Sequence, residues 1–222
     1  MKLNCDLGEG FACEGAVMPF IDQANIACDA HAGSMELMRQ TVILAREHKV
    51  SIGAHPGYPD RENFGRISLE STPEQITEWV TEQVAALASL TPVDYVKPHG
   101  ALYQDMMSSP EILAAIRCAL GDRPLMIQAQ FGVMNDDLGV LTEAFADRRY
   151  TDTGDLLPRG QPGSLLNAKE IEEQVYLLLN FGEVKTDSGR RIRIKADSLC
   201  VHGDNPDGVR IIRRLREIID NA

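Results

Sequence analysis

Short apolar runs alternate along the chain with longer segments in which apolar side chains recur at helical spacing. The strand-like runs lie near residues 2–7, 23–28, 50–54, 94–97, 125–127, 140–148 and 197–201. About seven strands that are each followed by a helical segment predict parallel βαβ units. We therefore expect one α/β domain over residues 1–222, folded as a distorted or incomplete β/α barrel of seven strands. A doubly wound open sheet is the alternative, because the pattern does not show closure.

Helix-start signals follow several of these runs. Ser34 is predicted to cap a helix whose apolar positions recur every three or four residues. Capping boxes are predicted from TPEQ at residues 72–75 and NAKE at residues 167–170. Further helix starts are predicted at residues 109–111 and at Asn205 and Pro206. Residues 8–18 are expected to form an irregular loop, and residues 128–138 receive no assignment.

Ionisable side chains collect where the apolar runs stop. Four of the five histidines lie where such a run meets Gly or Pro, whereas His48 lies in a helix-like surface segment. Because an alternating β/α fold gathers its strand ends on one face, we expect a shared polar pocket there. The candidate catalytic residues are Asp6, Glu9, His31, His55, Lys97, His99, His202 and Asp204. They offer acid, base and cation functions, although Asp204 could equally cap the last helix.

Two long loops carry arginines that could hold a carboxylate or phosphate through paired donors, or could simply be solvated. Imidazoles with carboxylates also suit a divalent metal, but no HxH or HxxxH pair fixes the ligands, so a bound metal stays open. The sequence has no GxxxxGK[ST] phosphate loop, no GxGxxG after a strand and no GxSxG elbow. A nucleotide, if one is used, must bind in another way or on another subunit.

Composition narrows the partners further. The formal net charge of −11 argues against a nucleic-acid partner, since binding to its backbone rests on clustered Lys and Arg. No apolar segment has the length of a membrane span, and the first residues reach Asp6 too early for a signal peptide, so we expect a cytoplasmic protein with no membrane partner. Five cysteines without a CxxC pair are expected to be mostly buried, reduced thiols.

Several motifs together resemble the LamB/YcsF family. They are NCDLGE (4–9), ANIAC (24–28), HAG (31–33), GAHP (53–56), FGR (64–66), KPHGALY (97–103), FADR (145–148), QPG (161–163) and CVHGD (200–204). The resemblance implies a β/α barrel like those of polysaccharide deacetylases and related glycosidases. It also implies one subunit of a 5-oxoprolinase, which opens the lactam of 5-oxo-L-proline to L-glutamate. That reaction would use ATP, with Mg as a candidate companion ion, and two other subunits.

The resemblance and the loop arginines together suggest which residues bind the small-molecule substrate. These are Asn25, Arg66, Tyr103, Asp147, Arg148 and Arg159. Lys97 with Arg66 or Arg148 would hold a carboxylate or phosphate, while a histidine with Asp6 or Glu9 activates water. Two other functions stay open at this point: a metal-dependent C–N hydrolase of an acetamido sugar, and a non-catalytic binding subunit.

Overall fold

Seven parallel strands close into a barrel in the computed structural model, which describes residues 1–12, 14–130, 139–202 and 208–221. The barrel strands are β1 (Lys2–Leu7), β2 (Gln23–Ala27), β3 (Ser51–His55), β4 (Tyr95–Val96), β5 (Leu125–Gln128), β6 (Val140–Phe145) and β9 (Ser198–Cys200). Neighbours in this order are hydrogen-bonded, and β9 returns to pair with β1. The seven-stranded β/α barrel is therefore confirmed, and the open sheet was the wrong alternative.

Helices connect most of the barrel strands and cover the outside. They are α1 (Glu14–Val17), α2 (Met35–Glu47), α3 (Pro73–Ala88), α4 (Gly100–Ser108), α5 (Pro110–Leu120), α6 (Ala168–Phe181) and α7 (Gly208–Asp220). Ser34 caps α2 by accepting a hydrogen bond from the Leu37 N–H, and both predicted capping boxes are present, at Thr72 and Asn167. Within the described ranges, no helix combines the length and apolarity needed to cross a membrane.

Some boundaries differ from the predictions. Residues 8–18 are not simply irregular, because α1 and a 3₁₀ turn at Met18–Phe20 follow the first loop. Strand β6 ends at Phe145 instead of residue 148, and a hairpin of β7 (Glu183–Lys185) and β8 (Arg191–Arg193) was not predicted. The predicted helix start at Asn205 and Pro206 lies outside the described residues.

One row of side chains crosses four neighbouring strands inside the barrel. Asp6 is in register with Asn25, Asn25 with Gly53, and Gly53 with Tyr95. Gly53 has no side chain, and a Cβ there would overlap the Tyr95 ring. The ring therefore reaches across Gly53, and its hydroxyl donates to Asn25 Oδ1 at 2.6 Å. Glycine at this position lets a hydrogen-bonded row form beneath the strand ends.

We expect Gly53→Ala to lower the free energy of unfolding by about 3 kcal/mol, since overpacking a filled interior forces side chains and backbone to shift. The matched control is Gly160→Ala, because a Cβ at this exposed glycine meets no atom within 4 Å. Urea unfolding of both variants measures the difference. Equal unfolding midpoints for the two variants would contradict the proposed packing of Tyr95.

Candidate active site

A cavity of about 370 Å³ opens where the carboxyl ends of the barrel strands meet. Its wall includes ten of the side chains proposed from the sequence, namely Asp6, Glu9, His55, Arg66, Lys97, His99, Tyr103, Arg148, Arg159 and His202. Among the described residues, His31, Asn25 and Asp147 are not part of this wall and lie behind it. Asp204 lies outside the described residues.

Lys97 occupies the floor of this cavity as a buried cation. Its Nζ lies 3.0 Å from Asp6 Oδ1 and 3.1 Å from Glu143 Oε2, and the Lys97 side chain is 3% exposed. Burial alone would lower the pKa of Lys97, but Asp6, Cys200 and Glu143 raise it well above its usual value. Lys97 therefore stays charged and binds two strand-end carboxylates together.

Asp6 is held in one orientation by its neighbours. Besides Lys97, Asn25 donates to Asp6 Oδ1 at 2.7 Å, and Tyr95 fixes Asn25 in turn. The other oxygen, Oδ2, lies 3.4 Å from His55 Nε2. Burial would raise the pKa of Asp6, but the charges of His55 and Lys97 lower it well below its usual value. Asp6 is therefore a fixed carboxylate, and Asn25, which we expected to bind substrate, contacts and positions it.

His202 and Asp147 form an oriented dyad on the other side of the cavity. His202 Nδ1 lies 2.8 Å from Asp147 Oδ2, and the His202 backbone N–H donates to the same oxygen at 3.2 Å. Nδ1 therefore carries a hydrogen, which leaves Nε2 directed toward Asp6 Oδ2, 3.9 Å away. A carboxylate that fixes the imidazole tautomer in this way prepares Nε2 to accept a proton from a ligand or water in the cavity.

Three further histidines and Glu9 form a compact cluster beside Asp6. Glu9 Oε1 lies 3.3 Å from His31 Nε2, 3.4 Å from His99 Nδ1 and 4.0 Å from His55 Nε2. Burial and the neighbouring Asp6 raise the pKa of Glu9 to about 7. Burial lowers the pKa of His55, but Asp6 more than restores it, so that pKa is raised. The cluster thus combines one imidazole that favours its charged form with one carboxyl group that titrates near neutrality.

His31 lies in the interior of this cluster. Its ring stacks on the His99 ring at 3.8 Å between centroids with an interplanar angle of 3°. Burial and the charge of His55 lower the pKa of His31 to about 2, so the ring is neutral. A Cβ at Gly57 would lie 2.8 Å from His31 Nδ1, and one at Gly65 would lie 2.8 Å from His31 Cβ. The histidines pack this closely because both loop positions are glycine.

Arginines supply positive charge at the entrance. Arg148 is 4% exposed, and its Nη2 donates to the Leu157 carbonyl at 2.8 Å. Arg148 Nε is buried and has no hydrogen-bond partner among the described residues. Burial and the charge of Arg159 lower the pKa of Arg148 to about 10. Two cations that repel each other next to an unsatisfied donor form an environment that favours an anion.

Sequence reasoning missed several residues of the cavity floor. Glu143 is fully buried in β6 and pairs with Lys97, whereas the sequence shows only one carboxylate within an apolar run. That isolated carboxylate was the available signal, because a buried charge needs a partner. Cys200, considered as a thiol beside the site, receives a hydrogen bond from Lys97 Nζ at 3.1 Å. Burial raises the pKa of Cys200 well above its usual value, so its thiol keeps its proton.

Comparisons with known proteins agree on one family. The model of the LamB/YcsF family matches residues 1–222. A Vibrio campbellii protein named as the A subunit of 5-oxoprolinase is 46% identical, and the alignment covers 98% of this chain and 94% of that protein. A Pseudomonas putida protein, named as the second of its 5-oxoprolinase A subunits, is 42% identical, with coverage of 99% and 94%. The crystal structure of a lactam utilization protein from Thermus thermophilus superimposes with a TM-score of 0.88 at 31% identity, covering 99% of this chain and 97% of that one.

The His202 dyad makes stability depend on acid pH. Burial would raise the pKa of Asp147, but His202 holds it below its usual value, so the carboxylate stabilises the fold above about pH 4. That contribution is lost as the pH falls through the lowered pKa. We expect Asp147→Asn to cost about 2 kcal/mol at pH 7, and the cost to shrink toward pH 3.

Denaturant unfolding across this pH range measures that cost. Asp122→Asn is the control, because Asp122 is an exposed aspartate. A cost for Asp147→Asn that does not change with pH would mean that the carboxylate charge is not what stabilises the dyad.

Proposed function

Because the chain belongs to the LamB/YcsF family, we propose that it is the 5-oxoprolinase subunit in which the lactam ring of 5-oxo-L-proline is opened to L-glutamate. One observation carries this proposal: an imidazole oriented by Asp147 and a carboxylate held by Lys97 face each other across one small cavity. This arrangement suits the activation of water next to an anionic substrate. The names of the relatives favour a lactam over an acetamido sugar.

The chemical problem is that an amide carbon is a poor electrophile. Transfer of the ATP γ-phosphoryl group to the lactam oxygen would make that carbon electrophilic. Water then adds to the carbon as His202 Nε2 accepts a proton, and the ring C–N bond breaks as the nitrogen takes up a proton. The resulting acyl phosphate is hydrolysed by a second water to glutamate and phosphate. His202 acts first as base and then as acid, and Asp147 keeps its tautomer correct throughout.

The arginines fit the anionic groups of such a substrate. The 5-oxoproline carboxylate and the phosphoryl group each offer oxygens to a planar guanidinium, which binds them with paired donors. Arg148 and Arg159 line the same side of the cavity as Leu156 and Pro158, and Arg66 lies over the Phe64 ring at 4.9 Å. We assign the buried Arg148 to the substrate carboxylate, since its Nε still lacks a partner among the described residues.

We propose that ATP binds to another subunit. The cavity volume of about 370 Å³ lies near the lower end of the range for ligand sites, which suits one small substrate better than a lactam together with a nucleotide. The lack of a GxxxxGK[ST] phosphate loop in the sequence supports the same division of labour. Two partner subunits would then form the activated lactam and pass it to this barrel.

The direct test reconstitutes the complex. Glutamate release and 5-oxoproline-dependent ATP hydrolysis are measured for the partner subunits with and without this chain. We expect glutamate only when the chain is present, and a loss of about 10²–10⁴-fold in kcat for His202→Gln. His48→Gln is the matched control, because this histidine is exposed on the outer surface. Unchanged turnover with His202→Gln would instead favour a non-catalytic binding subunit.

A second variant tests the anion assignment. We expect Arg148→Lys to raise the KM for 5-oxoproline by about tenfold while kcat changes less, because one charge-assisted hydrogen bond to the carboxylate is lost. Arg149→Lys is the control, since the neighbouring side chain pairs with Glu170 outside the cavity. An effect on kcat alone would remove Arg148 from substrate binding.

A further inference from the structure

The backbone fixes the tautomers of two buried histidines. His55 Nδ1 lies 2.7 Å from the Lys97 carbonyl oxygen, and His99 Nε2 lies 2.9 Å from the Phe64 carbonyl oxygen. A carbonyl oxygen only accepts hydrogen bonds, so both of these ring nitrogens carry hydrogen. The opposite nitrogens, His55 Nε2 and His99 Nδ1, face each other at 3.0 Å. In neutral rings they would be two lone pairs in contact, so a positive species must lie between or beside them.

From this geometry we propose that His55 Nε2, His99 Nδ1 and Glu9 Oε1 bind one divalent transition-metal ion. The three atoms are separated by 3.0, 3.4 and 4.0 Å. A tetrahedral ion with bonds of about 2.1 Å needs ligand atoms about 3.4 Å apart, which is the middle of that range. The inference does not depend on the identity of the substrate.

Ring orientation agrees with shared coordination by His55 and His99. Each lone pair lies in its ring plane, so two imidazoles on one ion at about 2.1 Å place their ring centres roughly 5 Å apart. The observed centroid distance is 4.9 Å, and the rings are almost perpendicular at 87°. Both rings also donate their other N–H to a backbone carbonyl, as metal-bound histidines usually do.

The same criterion excludes His31 as a ligand of that ion. Its ring is parallel to the His99 ring at 3.8 Å, so an ion in the plane of one ring lies far outside the plane of the other. His31 Nδ1 is buried without a partner among the described residues. His31 instead places Nε2 at 3.3 Å from Glu9 Oε1, which identifies it as a positioning residue for the carboxylate ligand.

Two imidazoles and one carboxylate favour Zn²⁺, Co²⁺ or Fe²⁺ over Mg²⁺, which prefers oxygen ligands. Because His55, His99 and Glu9 all line the cavity, such an ion would be in reach of a bound ligand and could polarise its carbonyl or phosphoryl oxygen. The alternative positive species is a proton on His55, and the two are distinguished by experiment.

The test uses the full chain without an affinity tag, stripped with a chelator and titrated with ZnCl₂ or CoCl₂. We expect about one equivalent of Zn²⁺ per chain by elemental analysis, a raised melting temperature, and a Co²⁺ visible spectrum without a thiolate charge-transfer band. His99→Gln and Glu9→Gln should each weaken Zn²⁺ binding at least about tenfold, and His31→Gln should weaken it less. His48→Gln should bind like the unmodified chain.

Three results would overturn the proposal. The first is less than about 0.1 equivalent of Zn²⁺ on the unmodified chain at saturating metal, which leaves the proton as the positive species. The second is a thiolate band with Co²⁺, and the third is loss of Zn²⁺ in His202→Gln with retention in His99→Gln. Either of these would move the ion to Asp6, Cys200 and His202, which also lie close enough to share one. The first result needs no variant, so a misfolded mutant cannot obscure it.

Discussion

The buried ammonium group of Lys97 constrains the whole interior. A lone charge in a barrel costs several kcal/mol, so it persists only with ionised partners that are equally well fixed. Asp6 and Glu143 provide them from β1 and β6, on different sides of the barrel. The same residue uses its backbone carbonyl to orient His55. Lys97 therefore determines both where the catalytic carboxylate lies and which nitrogen of the neighbouring imidazole faces the cavity.

Charge is distributed unevenly along the depth of the cavity. Carboxylates and imidazoles lie on the floor and to one side, whereas Arg66, Arg148 and Arg159 line the wall as well. An anionic ligand would meet the guanidinium groups through its carboxylate or phosphate and expose its reactive carbon to His202. This division gives the ligand one favoured orientation, which is a larger contribution to rate than any single contact.

Periodicity and capping signals predicted the barrel well, because Ser34, Thr72 and Asn167 form local hydrogen bonds that do not depend on the rest of the fold. Strand-end histidines also indicated one shared face. The sequence could not show that Asn25 and Asp147 support other side chains, since that depends on which neighbour lies behind each one. Glu143 and the α4 start at Gly100 were missed for the same reason, as long-range pairing determines both.

The loops after β3 and β4 are joined to each other by backbone hydrogen bonds. The His99 N–H donates to the Pro56 carbonyl at 2.7 Å, and the Ala101 N–H donates to the Gly65 carbonyl at 2.9 Å. Gly100 has φ of +56°, and a Cβ there would meet the Gly65 carbonyl. The two loops thus form a single evolutionary module: chimaeras between family members should exchange them as a pair, because transplanting either one alone leaves mismatched halves of the same seam.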